Sequence, residues 1–349
     1  MRLERRAQTP FALALAAPIG AVFTALALSG LLIALAGAPV WEAYRRLLIG
    51  AFGSRLSITE TLTRATPLIL TGLAAATAFR ARLWNIGAEG QFYLGALAAA
   101  VLGSNYAPHP RGAWLIVELM LAGGAVGALL LLAPLTLRLR LGVDEVVTTL
   151  LLNFVALLFV SMMIEGPLRD PLAFGWPQSV PIVAEAHLPK LIAHSRLHIG
   201  LLIAIGCAIG LWAVQTRTTF GLESRAAGLN PGAARFAGVS LPWVLTIVAC
   251  LSGGLAGLAG SIEVMGVKGY ATTDLSPGFG YTGIVVAMLA DLHPIGVIAT
   301  ALFVATMFVG ADGMSRALHV PSFIADVIVA LSLLTMLVAL LIVNYRIRR

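Results

Sequence analysis

Apolar positions in this chain come in long unbroken runs, not at the one-face spacing of helices packed on a soluble core. The run FALALAAPIGAVFTALALSGLLIALAG carries residues 11–37 without a charge. At ~1.5 Å per helical residue it is long enough for a hydrocarbon layer of ~30 Å. It exceeds the ~7–15 apolar residues of a secretory signal, and no small-residue cleavage site clearly ends it, so it reads as a retained span. Breaks at Gly, Pro and charged residues place further spans near 60–79, 86–103, 113–136, 146–164, 199–214, 243–262, 281–291, 294–310 and 323–344. The pattern predicts an all-α polytopic membrane protein of about ten transmembrane helices. An even number puts both termini on one side.

Two of these segments are too short or too broken for ordinary spans. Residues 86–103 open with the Gly-rich turn NIGAEG, and 281–291 end at DLHP. Both read as half-helices, which in paired positions of two chain halves mark a substrate pathway through a membrane. The same pairing relates spans two to five with spans seven to ten in opposite orientation, a candidate inverted internal repeat without a visible residue-level repeat.

Composition narrows the alternatives. The 349 residues are 59% hydrophobic and 11% charged, with a mean hydropathy of +0.93, against ~25% charge in soluble domains. A single transmembrane domain over 1–349 is expected. The net charge is +7, but most charges lie between apolar runs, so the basic balance speaks of loop orientation and not of nucleic acid. With the N-terminus inside, inner loops hold 13 of the 23 basic residues, Arg6 among them, and the closing NYRIRR (Arg346, Arg348, Arg349) has the form of an interfacial anchor. Both termini are therefore expected in the cytoplasm. Cys207 and Cys250 lie within apolar runs and offer neither a disulfide nor metal-ligand spacing. The pairs Gly123/Gly127, Gly206/Gly210 and Gly253/Gly257 have the four-residue spacing that lets membrane helices approach closely, and they read as bundle packing.

Two loops stand out. The inner loop 216–240, TRTTFGLESRAAGLNPGAARFAGVS, is dense in helix punctuation: Gly228 to end one short helix in left-handed geometry, Asn230 to cap the next, Pro231 at its first position, Gly238 to stop it. Two short surface helices are expected, faced by Ala226, Ala227, Ala233 and Ala234, with Arg225 and Arg235 projecting, as a docking element for another protein. The outer loop 165–198 holds Pro167, Pro171, Pro177, Pro181 and Pro189 with Trp176, then a candidate short helix in PKLIAHSRLH. It suits a docking cap for an external protein or a lid.

Polar residues inside the spans are the remaining chemistry. Glu89 shares a helix face with Asn85 and Phe92, with Arg80, Arg82 and Gln91 as nearby partners. A charge in hydrocarbon must face protein or water, so Asn85, Glu89 and Gln91, with mid-span Asn153, are candidates for a gating network or for substrate contact. Asp326, Glu118 and Glu263 lie near predicted span ends, where reaching water is easy, and His293 before Pro294 reads as the cap of a turn. Phe92, Phe279 and Tyr281 are candidates for stacking on a base or a sugar face, with Trp84 and Tyr93 nearby. No catalytic or metal-ligand set emerges.

Taken together, GLNPGAARFAG, NIGAEGQF, GVDEVVTTLLLNFVA and GFGYTGIVVAML…HPIGV resemble the permease subunits of ATP-binding cassette importers of the ribose type, in the nucleoside and simple-sugar branch, over roughly residues 60–345. The resemblance implies that 216–240 is the cytoplasmic coupling loop that seats in a separate ATPase, a role carried to Gly228, Asn230, Pro231, Ala233, Ala234 and Arg235. It departs at Glu223 and Ser224, and at Ala290 and Asp291. It further implies a second permease subunit, with a heterodimer favoured, an extracytoplasmic solute-binding protein, and import of a nucleoside, nucleobase or simple sugar across the plasma (inner) membrane. ATP and Mg belong to the ATPase, since the chain lacks a G-x-x-x-x-G-K-[ST] phosphate loop and needs no cofactor itself. Two other readings stay open at this point: a proton-coupled secondary transporter using Glu89 and Asp326, and a membrane enzyme, for which VDEV is the lone adjacent acidic pair.

Overall fold

The computed structural model describes residues 2–5, 11–35, 37–104, 114–319 and 322–348. Arg6, Arg349 and position 113, which enter the sequence reading, lie outside them. The chain divides into two compact units, Met1–Arg64 with Leu302–Arg349, and Ala65–Ala301.

In order, the helices are α1 (Phe11–Leu35), α2 (Val40–Phe52), α3 (Arg55–Arg80), α4 (Ala88–Gly103), α5 (Trp114–Leu141), α6 (Glu145–Glu165), α7 (Gly200–Arg217), α8 (Thr219–Leu229), α9 (Pro231–Phe236), α10 (Leu241–Glu263), α11 (Phe279–Leu289), α12 (Pro294–Leu318) and α13 (Ser322–Asn344). Among the described residues seven helices are long and apolar enough to cross a membrane, or eight spans if the bent pair α1–α2 counts as one. The 16-residue α4 and the 11-residue α11 are the short helices predicted from the broken runs.

In the first unit α1 packs along α13, and β1 (Arg2–Arg5) pairs antiparallel with β2 (Tyr345–Arg348), so the two chain ends lie side by side. Arg64 in the first half of α3 and Asp312 in α12 form a salt bridge of 2.6 Å. Residues 40–52, which fall between the first two expected spans, form α2: one face of the segment is apolar and packs inward through Ala43, Leu47 and Ala51.

In the second unit α10 is central, packed on α4 and α5. The α5–α10 crossing is made by glycine: a Cβ at Gly257 would collide with the carbonyl oxygen of Gly123, and one at Gly127 with that of Gly253. Two of the three predicted Gly pairs therefore meet each other. The third does not, for nothing lies within 4 Å of a Cβ at Gly206 or Gly210. α10 continues through a π-helical turn, Val264–Lys268, to Gly269 at φ 80°. That extension places Glu263 inside the helix and buried, not near a span end.

The segment PKLIAHSRLH is not helical. Lys190 and His198 form an antiparallel bridge, and the short 3-10 turn lies instead at Ala184–Ala186. The segment closes on itself instead, Leu191 N–H donating to Leu197 O at 2.9 Å and Ile199 N–H to Pro189 O at 3.0 Å, while the chain before it, whose prolines lack the amide donor, runs extended. The extended chain then satisfies its own amides against the stretch after α10, through Ser179 N–H to Ala271 O at 2.9 Å and Ile182 N–H to Gly269 O at 2.8 Å.

Candidate functional site

The turn between α3 and α4, residues 80–88, is the hub of the second unit. α3 is the most deeply buried of the long helices, and its last turn delivers Arg80 to a side-chain hydrogen bond with Gln215 Oε1 at the end of α7, 2.8 Å. Arg82 then takes a left-handed conformation, φ 53°. Its carbonyl accepts from Arg138 at 3.1 Å, and Arg138 also pairs with Glu145 at 2.7 Å. The VDEV pair is thus structural. Asp144 caps α6 by accepting from Val146 N–H at 2.8 Å, and Glu145 locks the junction of α5 and α6 to this turn.

Beyond the turn the polar residues form one buried set. Asn85 and Gln91 exchange two side-chain hydrogen bonds, each 2.9 Å, and Asn85 also donates to Ser252 Oγ on α10 at 2.9 Å. Ser252 passes the chain on to the Ala74 carbonyl of α3 at 2.7 Å. Asn153, buried on α6, accepts from Gly90 N–H at 2.8 Å and donates to Ile86 O at 2.8 Å and to the Tyr281 hydroxyl at 3.2 Å. Each of these buried amides uses both its oxygen and its nitrogen, which is what burial of an amide requires.

Glu89 does not pair with Arg80 or Arg82. Its carboxylate accepts from Gly280 N–H at 2.6 Å, in the first turn of α11, with the Ser276 hydroxyl and Tyr281 N–H alongside. The reason is geometric. The N-terminal amides of α11 lack carbonyl partners and carry the positive end of the helix dipole. Gly280 lets the two helix starts approach so closely that a Cβ there would overlap the Glu89 backbone. The starts of α4 and α11 therefore meet around one carboxylate. Thr71 on α3 completes the joint by donating to Phe279 O at 3.0 Å.

The three aromatics divide. Phe92 and Phe279 are buried against each other, ring centroids 5.9 Å apart, and so present no face to a ligand. Tyr281 keeps 38% of its surface exposed and is the most accessible ring of the three. Asp326 is exposed near the start of α13. His293 accepts from Gly296 N–H at 3.3 Å and caps the start of α12.

In the 216–240 segment, α8 and α9 are the two expected helices. Thr218 caps α8, accepting from Gly221 N–H at 3.3 Å. Asn230 caps α9, accepting from Ala233 N–H at 3.1 Å, with Pro231 following it and Gly238 at φ 86° after the end. Gly228 differs from expectation: it is helical, not left-handed, and its missing side chain leaves room for the carbonyl oxygen of Arg80. Ala227 and Ala234 pack inward with Leu83 and Phe79. Ala233, Arg225 and Arg235 face out, and so do Leu222, Leu229 and Phe236, the last fully exposed at 98%.

Ser252, Gln215, Thr71 and Ser276 were not singled out by sequence pattern. Ser252 carried a usable signal as a hydroxyl inside the apolar run CLSGGLAG. Gln215 near the end of α7, Ser276 in the loop before α11 and Thr71 inside α3 take their roles from what folds against them.

Comparison with known proteins gives this arrangement its family. A family model described as "Branched-chain amino acid transport system / permease component" matches residues 57–344. A glucose ABC transporter permease protein of Haloferax volcanii is 35% identical over 99% of this chain and 93% of its own. A guanosine ABC transporter permease protein of Bacillus subtilis is 34% identical over 91% of each chain. A second guanosine permease protein of that organism is 28% identical over 70% of this chain and 78% of its own. The chain belongs to this permease family, as a multi-pass transport subunit of an ATP-binding cassette importer in the nucleoside and simple-sugar branch, with ATP hydrolysis left to a separate ATPase.

Proposed function

We propose that this permease moves a nucleoside, nucleobase or simple sugar inward, and that α8 and α9 carry the thrust of a Mg–ATP-driven partner to a gate built on Asn85, Glu89, Gln91 and Asn153. The observation that carries the reading is spatial continuity: Gly228 of α8 packs on the Arg80 carbonyl, and the same turn leads through Asn85 and Gln91 to the Glu89–Gly280 joint. Displacing α8 must displace the turn, because no side chain separates their backbones. Exposed Leu222, Leu229 and Phe236 beside Arg225 and Arg235 have the makeup of a protein-docking surface, apolar anchors within a charged rim. Residues 216–240 serve as the coupling loop, and 165–198 as the extracytoplasmic face that receives a solute-binding protein.

The substrate class is supported by relatives named for guanosine and for glucose, and by the pairing of an accessible Tyr281 ring with the Asn153 amide. A ring face with an adjacent polar edge suits both a base and a sugar. Two different guanosine permeases of one organism both resemble this chain, which supports a heterodimer with a second permease. Cytoplasmic termini are supported by the paired chain ends and their arginines.

The test is purification of the native complex followed by reconstitution with its ATPase and binding protein. The reading expects Arg235→Glu and Gly228→Val to abolish solute uptake while the permease still inserts. Uptake at the wild-type rate in both variants would remove the coupling assignment. Radiolabelled guanosine, glucose and leucine, tested on the binding protein, decide the cargo.

A further inference from the structure

Helix α2 is not accounted for by transport. It leaves the end of α1 at a bend of 115°. Its inner face is committed: Ala43, Leu47 and Ala51 are buried, Gly50 lies against the backbone of Gly310 and Gly313, and the Tyr44 hydroxyl donates to the Leu26 carbonyl. Its outer face is not. Residues 41, 45, 48 and 52 share one side of the helix, and there Trp41, Leu48 and Phe52 stand exposed at 82%, 58% and 57%. Arg45 lies in the same row, and both Arg45 and Arg46 reach over Glu42 at 3.1 Å and 2.6 Å.

Neither simple placement suits this face. Thirteen residues make ~20 Å of helix, short of the ~30 Å hydrocarbon layer. Upright insertion would bury Glu42 and two arginines in hydrocarbon. Full exposure to water would leave a large indole, a Leu and a Phe in one wet row. A helix lying at the boundary satisfies both sets, with rings and aliphatic chains toward the acyl region and guanidinium groups among headgroups. Trp favours that depth. The trio Glu42, Arg45 and Arg46 retains one net positive charge, and guanidinium matches phosphate oxygens geometrically.

We propose that α2 lies in the plane of the membrane surface and binds the lipid headgroup layer, with Arg45 and Arg46 engaging lipid phosphates. This surface is independent of the cargo and of the coupling loop. It anchors the bent end of α1 at a fixed depth, and it gives the protein a preference for anionic lipid.

Single cysteines at 41, 45, 48 and 52, in full-length protein carrying Cys207→Ala and Cys250→Ala, can be spin-labelled in vesicles of phosphatidylcholine and phosphatidylglycerol. Power saturation with oxygen and a nickel chelate then reads depth. The expected result is one common depth near the headgroups at all four positions. A steady deepening from 41 to 52, up to ~16 Å, would show an inserted helix and overturn the proposal. Low access to both relaxants would show a protein on this face and overturn it equally. In a parallel measurement, Arg45→Gln with Arg46→Gln is expected to lower phosphatidylglycerol retention several-fold in native mass spectra, with phosphatidylcholine unchanged. Equal retention of phosphatidylglycerol would remove the phosphate assignment.

Discussion

Gly280 donates its backbone N–H to the carboxylate of Glu89 at 2.6 Å, joining the first turns of two short helices from opposite halves of the chain. The contact replaces the partner that sequence proximity suggested. Two positive helix ends converge there, and one buried carboxylate answers both. Glu89 is therefore best understood as a positioning residue that fixes the angle between α4 and α11.

Removing that carboxylate should loosen α11. Glu89→Ala leaves the Gly280 amide buried without its charged acceptor, at a cost of about 1.5–3 kcal/mol. Glu89→Gln keeps an acceptor oxygen and should cost less. Thermal unfolding in nanodiscs orders the three proteins; an alanine variant as stable as wild type would contradict the joint.

Asn85 and Gln91 form a reciprocal pair, so their losses should not add. Asn85→Leu strands a buried Gln91 amide, whereas the double change to Leu removes both sides together. A double-mutant cycle on unfolding should give a coupling of about 1 kcal/mol or more. Strict additivity would mean that the pair does not form.

The glycine spacings make opposite predictions. Gly257→Ala places a methyl against the Gly123 carbonyl and should destabilise by about 1–3 kcal/mol through forced separation of α5 and α10. Gly210→Ala meets nothing within 4 Å and should be neutral or better, since alanine favours helix by up to ~1 kcal/mol. Melting temperatures of both variants check this directly.

His198, in the segment before α7, is buried, and burial pushes its pKa down to about 4. Its Nδ1 accepts from Gly200 N–H at 3.1 Å. The folded state therefore holds the neutral ring, while the unfolded chain takes up a proton near pH ~6.5. Stability is full above that value, declines as pH falls toward ~4, and levels off below, a change of order 3 kcal/mol. His198→Gln should flatten the dependence in unfolding measured across that range; an unchanged slope would assign it to other groups.

Legibility followed the range of the interactions. Asn230 capping α9, Gly238 ending it and Asp144 capping α6 are contacts within three residues, so a local pattern can carry them. Gly228 looked the same in sequence but serves a different need, room for Arg80, which sits far away in the chain. Phe92 and Phe279 read as pathway aromatics from spacing alone, yet each other's rings fill their space. The helix predicted in 189–198 failed because its amides pair across the segment itself, Leu191 N–H with Leu197 O, while those of the proline-rich chain before it found partners in the stretch after α10.

By itself the sequence determined that this protein crosses a membrane many times, that two of its helices are short, and that the loop 216–240 is built as paired small helices. These follow from run length, hydropathy and capping, which are properties of neighbouring residues. The tertiary structure alone decided which polar groups meet: Glu89 with α11, Asn85 with Gln91 and Ser252, Gly228 with Arg80. Each is a buried donor, acceptor or backbone needing a partner, and within a membrane domain only the packing of helices supplies one.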